Sequence, residues 1–454
     1  MTYREKFKRL RIKSWRLSGE SGALGFAANG VESRRLHPSS LYKNISLFIT
    51  HLLFMCYSRC NQWIPKTPGQ KGLRILTLDG GGSRGMSSVT AVESLVDFVG
   101  PEVCDSFDMI CGTSTGGIIA FLVGLRQETS KEAVERYNQL IKKIFVKSAL
   151  QTPMLLLTTA SYDESYFMNV LSDILKDDSM LDSRADPTVP LVFAVTSKMS
   201  STPTHVALFR NYNYASDELP DPFTIDPDVA REELGLPLEQ EHADIRQSEY
   251  KRVRDEHPAG GTNRELADGS RYPGSFRVIQ RYALRASTAA PTFFKPVMMG
   301  GEMYCDGGIV TSNPTAVAIH EARTLFPDIP IELVVSIGTG SFHEQRSAPR
   351  IGWDGIIGQI VDSATDGEQI HHILEDILGD TSNLGQRSTH VSGTRYFRFN
   401  PVIGYPDEYP IDVTEPEKLL KLRTITQDYM KQPLQVSKLQ AISDILKGPK
   451  RWGT

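Results

Sequence analysis

The stretch Phe107-Asp108-Met109-Ile110-Cys111-Gly112-Thr113-Ser114-Thr115-Gly116-Gly117 decides how the chain folds. An apolar run stops at Gly112, a serine follows at Ser114, and glycines resume at Gly116 and Gly117. The spacing Gly112-Thr113-Ser114-Thr115-Gly116 is G-x-S-x-G, the nucleophile elbow. It predicts a buried strand through Phe107, Met109, Ile110 and Cys111. That strand reverses sharply into a helix apolar on every side, from Ile118 to Val123. Glycines two positions before and after the serine let strand and helix approach closely, while the serine takes a strained backbone conformation. Its hydroxyl then lies at a helix N-terminus, where free N–H groups and the helix dipole favour developing negative charge. A plain strand-to-helix turn is the competing reading of this stretch alone.

Upstream, Leu73–Leu78 (LRILTL) crowds apolar residues together, as a strand buried on both faces does. It runs into Asp79-Gly80-Gly81-Gly82-Ser83-Arg84-Gly85, after which Met86, Val89, Val92, Leu95 and Val99 recur at helical spacing. Strand, glycine loop, helix, strand, elbow, helix is the opening of an α/β domain with a mainly parallel sheet. Downstream, Val189–Thr196 and Ile331–Ile337 read as further strands. Between them Tyr212–Gly274 is rich in charge, Pro and Gly and reads as a surface insertion or lid. Gly352–Leu378 reads as one or two amphipathic helices. Thr414-Glu415-Pro416-Glu417 reads as a capping box with a helix-starting proline. The helix it launches carries Leu419, Leu422, Ile425 and Tyr429 on one face and stops before Pro433. Lys447–Thr454 reads as a basic tail.

With 454 residues, 40% of them hydrophobic, the chain can bury one large core or two smaller ones. A formal net charge of -4 carries no global basic excess, so no nucleic-acid partner is expected. Five widely spaced cysteines are an odd number and read as reduced thiols, not as a disulfide framework. Cys56-x-x-x-Cys60 has no second pair at ligand spacing, so no metal is assigned. In the first stretch Arg4, Lys6, Lys8, Arg9, Arg11, Lys13 and Arg16 oppose only Glu5 and Glu20. It reads as a solvated tail, with a mitochondrial presequence or a membrane-surface patch as the competing readings. Ile45–Tyr57 is too short and interrupted for a spanning helix and reads as a packed helix or an interfacial anchor. Pro65, Pro68 and Gly69 mark a linker. The expected organisation is an N-terminal extension (1–70), a main domain (73–345, with the 212–274 insertion) and a mainly helical C-terminal extension (346–454). The expected location is cytoplasmic or peripheral to a membrane.

Gly80–Gly85 also satisfies G-x-G-x-x-G, which makes a dinucleotide site the first rival. The acidic residue that such a site needs about 20 positions on is not cleanly present, and Asp79 would meet a pyrophosphate with negative charge. Consecutive glycine N–H groups at a helix start instead suit an oxyanion hole serving a serine one strand later. None of the ten histidines stands in a glycine-punctuated loop after a strand. His320, His371 and His372 fall within apparent helices. Asp306, in Tyr304-Cys305-Asp306-Gly307-Gly308, is placed to serve as a base, because a carboxylate held dry beside a serine gains basicity. By itself Asp-Gly-Gly is more often a turn.

Taken together, Asp79–Gly85, Gly112–Gly117, Ala286–Phe294 and Asp306–Gly308, in this order, resemble the patatin-like phospholipase family. The resemblance runs from about Leu73 to Gly340. Tyr396-Phe397-Arg398-Phe399-Asn400 and the helix that follows are more similar to its calcium-independent phospholipase A2 branch than to the plant storage proteins. The resemblance implies a three-layer α/β/α domain and a dyad of Ser114 as nucleophile and Asp306 as proton acceptor. It also implies an oxyanion hole within Gly80, Gly81, Gly82, Ser83, Arg84 and Gly85. The implied activity is hydrolysis of acyl lipids without calcium or a cofactor. An acyltransferase using the same dyad and a non-catalytic lipid-binding protein are the alternatives. Arg84 is expected to brace the glycine loop. The 212–274 insertion and the first seventy residues depart from the family pattern.

Overall fold

The computed structural model describes residues 63–144, 164–214, 270–343, 366–378 and 393–447, apart from isolated positions within them. The basic and apolar N-terminal stretches, most of the insertion, residues 352–365 and the basic tail beyond Lys447 lie outside the described residues. The described residues all fall within one compact unit.

Strand β1 (Leu73–Leu78) is buried along its whole length, as its unbroken apolar run requires. The glycine loop leads to α1 (Gly85–Val99), and β2 (Met109–Thr113) follows, parallel to β1. Past the elbow, α2 (Thr115–Ala120) continues into a single π-helical turn, Phe121–Leu125. Next come α3 (Ser130–Ile144), α4 (Glu164–Leu175), β3 (Leu191–Lys198) and β4 (His205–Arg210). The short β5 (Gly274–Ser275), α5 (Gln280–Ser287), β6 (Val297–Met299) and β7 (Glu302–Asp306) bring the chain to its Asp-Gly-Gly turn. Helix α6 (Thr315–Leu325) and β8 (Ile331–Ile337) complete the predicted span. Beyond it lie β9 (Ser341–Phe342), α7 (Glu368–Leu378), β10 (Arg395–Phe399), β11 (Val402–Gly404), α8 (Pro416–Met430) and α9 (Pro433–Lys447).

The sheet runs in the order β10-β8-β1-β2-β3-β4-β5. Strands β10 to β3 are mutually parallel, β4 is antiparallel to β3, and β7 pairs antiparallel with the end of β3. Alternation along the strands gives the sheet two buried faces. Leu76, Leu78 and Ile110 face one layer, which holds α1 to α4, α8 and α9. Ile75, Met109 and Cys111 face the other, which holds α6 and α7. The architecture is α/β, a mainly parallel sheet between two helical layers. From β1 the chain passes to β2 on one side and later to β8 on the other, so a crevice opens at the carboxyl end of β1.

Several local expectations change. The C-terminal stretch carries its helices but also supplies the edge strand β10, whose Tyr396, Phe397 and Phe399 are buried. Helix α8 starts at Pro416 as read, yet its N-cap is Glu415, with no side-chain capping bond. Thr414 is therefore not the capping residue, and its own N–H donates to Glu415 Oε2 (3.2 Å). Pro433, read as the stop of α8, also opens a further helix, α9. The described ends of the insertion are not surface chain. Tyr212 and Tyr214 are buried, and their hydroxyls, with that of Ser270, donate to the buried carboxylate of Glu321 on α6. The linker around Pro65–Gly69 is likewise tied down, since Trp63 and Gln70 donate to Asp108.

Candidate active site

Three of the four motifs singled out in the sequence, the glycine loop, the elbow and the Asp-Gly-Gly turn, lie at the carboxyl ends of β1, β2 and β7, and the fourth, Ala286–Phe294, lies at the end of α5. At the end of β2 the elbow forms because Gly112 and Gly116 touch: a Cβ on Gly112 would collide with the Gly116 carbonyl. A Cβ on Gly116 would in turn collide with the Leu78 carbonyl of β1. Ser114 between them is forced to φ 52, ψ -120, a backbone state costing on the order of 1–3 kcal/mol for a non-glycine residue.

Across the crevice, β7 ends at Asp306, opposite Thr196 of β3. The structure brings the two candidate residues together: Ser114 Oγ donates to Asp306 Oδ2 at 2.6 Å. The other oxygen, Oδ1, accepts the Gly308 N–H at 2.7 Å, so the Asp-Gly-Gly turn aims the carboxylate. Both side chains are buried. Burial pushes the Asp306 carboxyl up to about 6, against the lowering effect of the bonds from Ser114 and Gly308. Ser287, at the end of α5, holds the elbow from behind. Its Oγ accepts the Ser114 N–H (3.1 Å) and donates to the Val195 carbonyl (2.6 Å).

The glycine loop faces this pair, and the structure distinguishes among its six residues. The Gly80 N–H donates to Ser312 O, Ser83 N–H to Ile411 O, and Arg84 N–H to Gly81 O. Gly85 N–H bonds within the turn. Four of the six amides are thus engaged, and among the described residues no partner is found for those of Gly81 and Gly82. Gly82 sits at φ +60, where a side chain would be strained and would also strike the Ile411 carbonyl. Its own carbonyl accepts from the buried Tyr137 hydroxyl at 2.8 Å. Arg84 braces the loop: Nε donates to Gly81 O (3.2 Å), and the guanidinium lies over the Phe342 ring.

Asp79, which opens the loop, is buried and paired with Arg398 of β10 at 2.7 Å. Arg398 also reaches Glu368 of α7 (2.7 Å) and Ser336 (2.8 Å). Burial pushes the Asp79 carboxyl up to about 6 even with Arg398 beside it. This buried acid at the loop's start, with the Ser83, Arg84 and Gly85 amides already engaged, leaves no seat for a pyrophosphate. Ser114 and Asp306 line a pocket with about 410 Å³ of empty space, mouth included. Its walls are Ile118, Ile141, Ile144, Phe167, Phe293, Phe294 and Ile411. A hydroxyl nucleophile, a carboxylate base and free backbone amides meet at one end of an apolar cavity. That arrangement is equipped to attack an acyl carbonyl carrying a hydrocarbon chain.

Among the described residues no histidine lines this pocket. His320 faces the Arg271 N–H and the Tyr272 ring, and burial lowers it to about 4. His371 bonds the Tyr396 hydroxyl, and with His372 and Glu375 it forms a solvent-open trio on α7 that has metal-ligand chemistry. Sequence reasoning missed Ser287, Tyr137, Arg398 and Ile411 as parts of the site. An arginine inside the apolar strand Tyr396–Phe399 was a signal for a buried partner; Ile411 acts through its backbone and had none. Among the described residues no helix is long and apolar enough to cross a membrane.

The family model for patatin-like phospholipase matches residues 76–319, more than half of the chain. The mouse calcium-independent phospholipase A2-gamma is 28% identical over 384 residues, 84% of this chain and 41% of that protein. Phospholipase A I of Arabidopsis thaliana is 29% identical over 398 residues, 81% of this chain and 27% of that protein. The chain therefore spans about two-fifths of the length of the first of these relatives and about a quarter of the second. The human GIVD cytosolic phospholipase A2 structure aligns over 91% of this chain and 67% of its own, with a TM-score of 0.40 and 11% identity.

Proposed function

This chain belongs to the patatin-like phospholipase family, and from that premise we propose that it is a serine hydrolase of acyl lipids. Its substrates are carboxylic esters of phospholipids or related lipids, and its product is a free fatty acid. The observation that carries this reading is the 2.6 Å bond from Ser114 Oγ to Asp306 Oδ2 at the end of an apolar pocket.

The acyl chain lies along Phe167, Phe294 and Ile118, with its carbonyl carbon over Ser114. Asp306 accepts the proton of Ser114 Oγ as that oxygen bonds to the carbonyl carbon. The carbonyl oxygen becomes an oxyanion held by the amides of Gly81 and Gly82. Collapse breaks the bond to the alcohol or lysolipid, which leaves with the proton from Asp306. A water then gives a proton to Asp306 and attacks the acyl-enzyme, and the second collapse releases the fatty acid and reprotonates Ser114. No step uses a cation, so chelating calcium leaves the activity unchanged. The membrane surface is the source of substrate, and the chain meets it from outside.

The test is labelling of the purified protein with a fluorophosphonate, alongside Ser114→Ala, followed by fatty-acid release from a panel of diacyl phospholipids. Label confined to Ser114 and fatty acid lost in the variant support the proposal. An unlabelled, folded protein that binds lipid without cleaving it would replace this reading with a lipid-binding one. Acyl groups recovered on added alcohols instead of water would replace it with a transferase.

A further inference from the structure

We infer that Ser312 and Thr339 are positioning residues for the oxyanion hole: two buried hydroxyls that clamp the Gly80 carbonyl and thereby aim the Gly81 N–H. The inference rests on the acyl-enzyme reading above and adds two residues that lie outside every motif recognised in the sequence.

A peptide unit is planar, so its carbonyl and the next residue's N–H point in opposite directions as one rigid body. The N–H of Gly81 therefore takes its direction from the carbonyl of Gly80. That carbonyl accepts two side-chain bonds, from Ser312 Oγ at 3.1 Å and from Thr339 Oγ1 at 3.1 Å. Both donors are buried, at 3% and 5% exposure. They come from separate loops, Ser312 from the turn after Asp306 and Thr339 from the end of β8. Two donors fill both lone pairs of the oxygen. Satisfying one buried carbonyl needs only one partner, so the second bond fixes direction. Ser312 grips the same residue again, since its own carbonyl accepts the Gly80 N–H at 3.0 Å.

Thr339 also fills the space beside Gly81, where a Cβ would strike its side chain. Donors on a carbonyl draw electron density along the peptide and strengthen the N–H at its other end. The Gly81 amide is thus held in place and made a better donor before any oxyanion forms, which is how preorganised groups favour a transition state over a ground state.

The experiment uses Thr339→Val, Ser312→Ala, the double variant and Thr339→Ser in the full chain, with the melting temperature of each recorded. Steady-state hydrolysis is compared with binding of an acyl trifluoromethyl ketone, whose hemiketal oxygen occupies the oxyanion position. Each hydroxyl deletion is expected to lower kcat about five- to twentyfold, below the ~10²–10³ seen for outright loss of a donor. KM should change less than twofold, and ketone affinity should fall in step with kcat. Thr339→Ser, which restores the hydroxyl, should stay within about threefold of wild type, against the ~10²–10³ of a lost donor. A folded double variant with undiminished kcat and ketone affinity overturns the inference, as does Thr339→Ser falling as far as Thr339→Val. If wild type itself neither hydrolyses lipid nor takes label at Ser114, the functional reading fails first, and this inference falls with it.

Discussion

At Asp306 burial works against the charge that the proposed mechanism needs. The carboxyl, ordinarily near 3.8, is pushed up to about 6, so only the ionised fraction above that pH can act as base. The expected kcat/KM profile is flat above about pH 7 and falls tenfold per pH unit well below 6. A profile without an acid limb near 6 would remove Asp306 from the role of base. The same shift has a stability consequence of opposite sense. A folded-state pKa above the unfolded one means that the stabilising contribution is full below 3.8 and is lost as pH rises through about 6. Ionised Asp306 therefore destabilises the fold at neutral pH, by up to roughly 3 kcal/mol. Asp306→Asn is expected to abolish hydrolysis yet melt a few degrees higher at pH 8, with the gain shrinking as pH falls towards 5. At this scale the sequence singled out Ser114 and Asp306 because glycines flank both. Ser287 lay within the Ala286–Phe294 motif without a role read for it, and Ser312 and Thr339 escaped because a hydroxyl that bonds a distant backbone group leaves no local pattern.

The elbow is an element whose geometry leaves no tolerance. Gly112→Ala or Gly116→Ala places a methyl group against backbone that cannot retreat, because the obstructing carbonyls belong to α2 and β1. Each is expected to cost more than about 4 kcal/mol, read from urea denaturation, a loss reserved for a few core mechanisms. Ser114→Gly should do the reverse: it relaxes the φ 52 backbone and raises the melting temperature while leaving the protein inactive. Elements with a strong local signature, β1, α1, β2 and β8, were legible within a residue or two. β3 was legible with a two-residue offset, Val189–Thr196 against Leu191–Lys198. α9 was missed because Pro433 reads equally as the end of one helix and the first turn of the next. The antiparallel β4 and β7 were missed because pairing partners are set by the rest of the sheet and not by the strand's own residues.

Across the whole molecule, the C-terminal stretch is joined to the earlier domain through charge as well as packing. Arg398 neutralises Asp79 where both are buried. Arg74 of β1 is buried too, bonding Glu332 (3.0 Å) and the last carbonyls of α9 (Ile445 O, 2.9 Å). Arg398→Met leaves Asp79 as a buried, unpaired acid and is expected to cost about 3–5 kcal/mol. Adding Asp79→Asn should recover much of that loss, and full additivity of the two in urea denaturation would contradict the pairing. This coupling was only half legible: the helices showed through their apolar spacing, but no pattern links position 79 to position 398. It also sets an order of events during synthesis. The glycine loop is among the first parts of the unit to leave the ribosome, yet it is held by Arg398 and by the backbone of Ile411. Until translation has passed that point, the nascent chain carries its serine and its aspartate without a finished loop. The proposed hydrolase would then stay silent while it is being made.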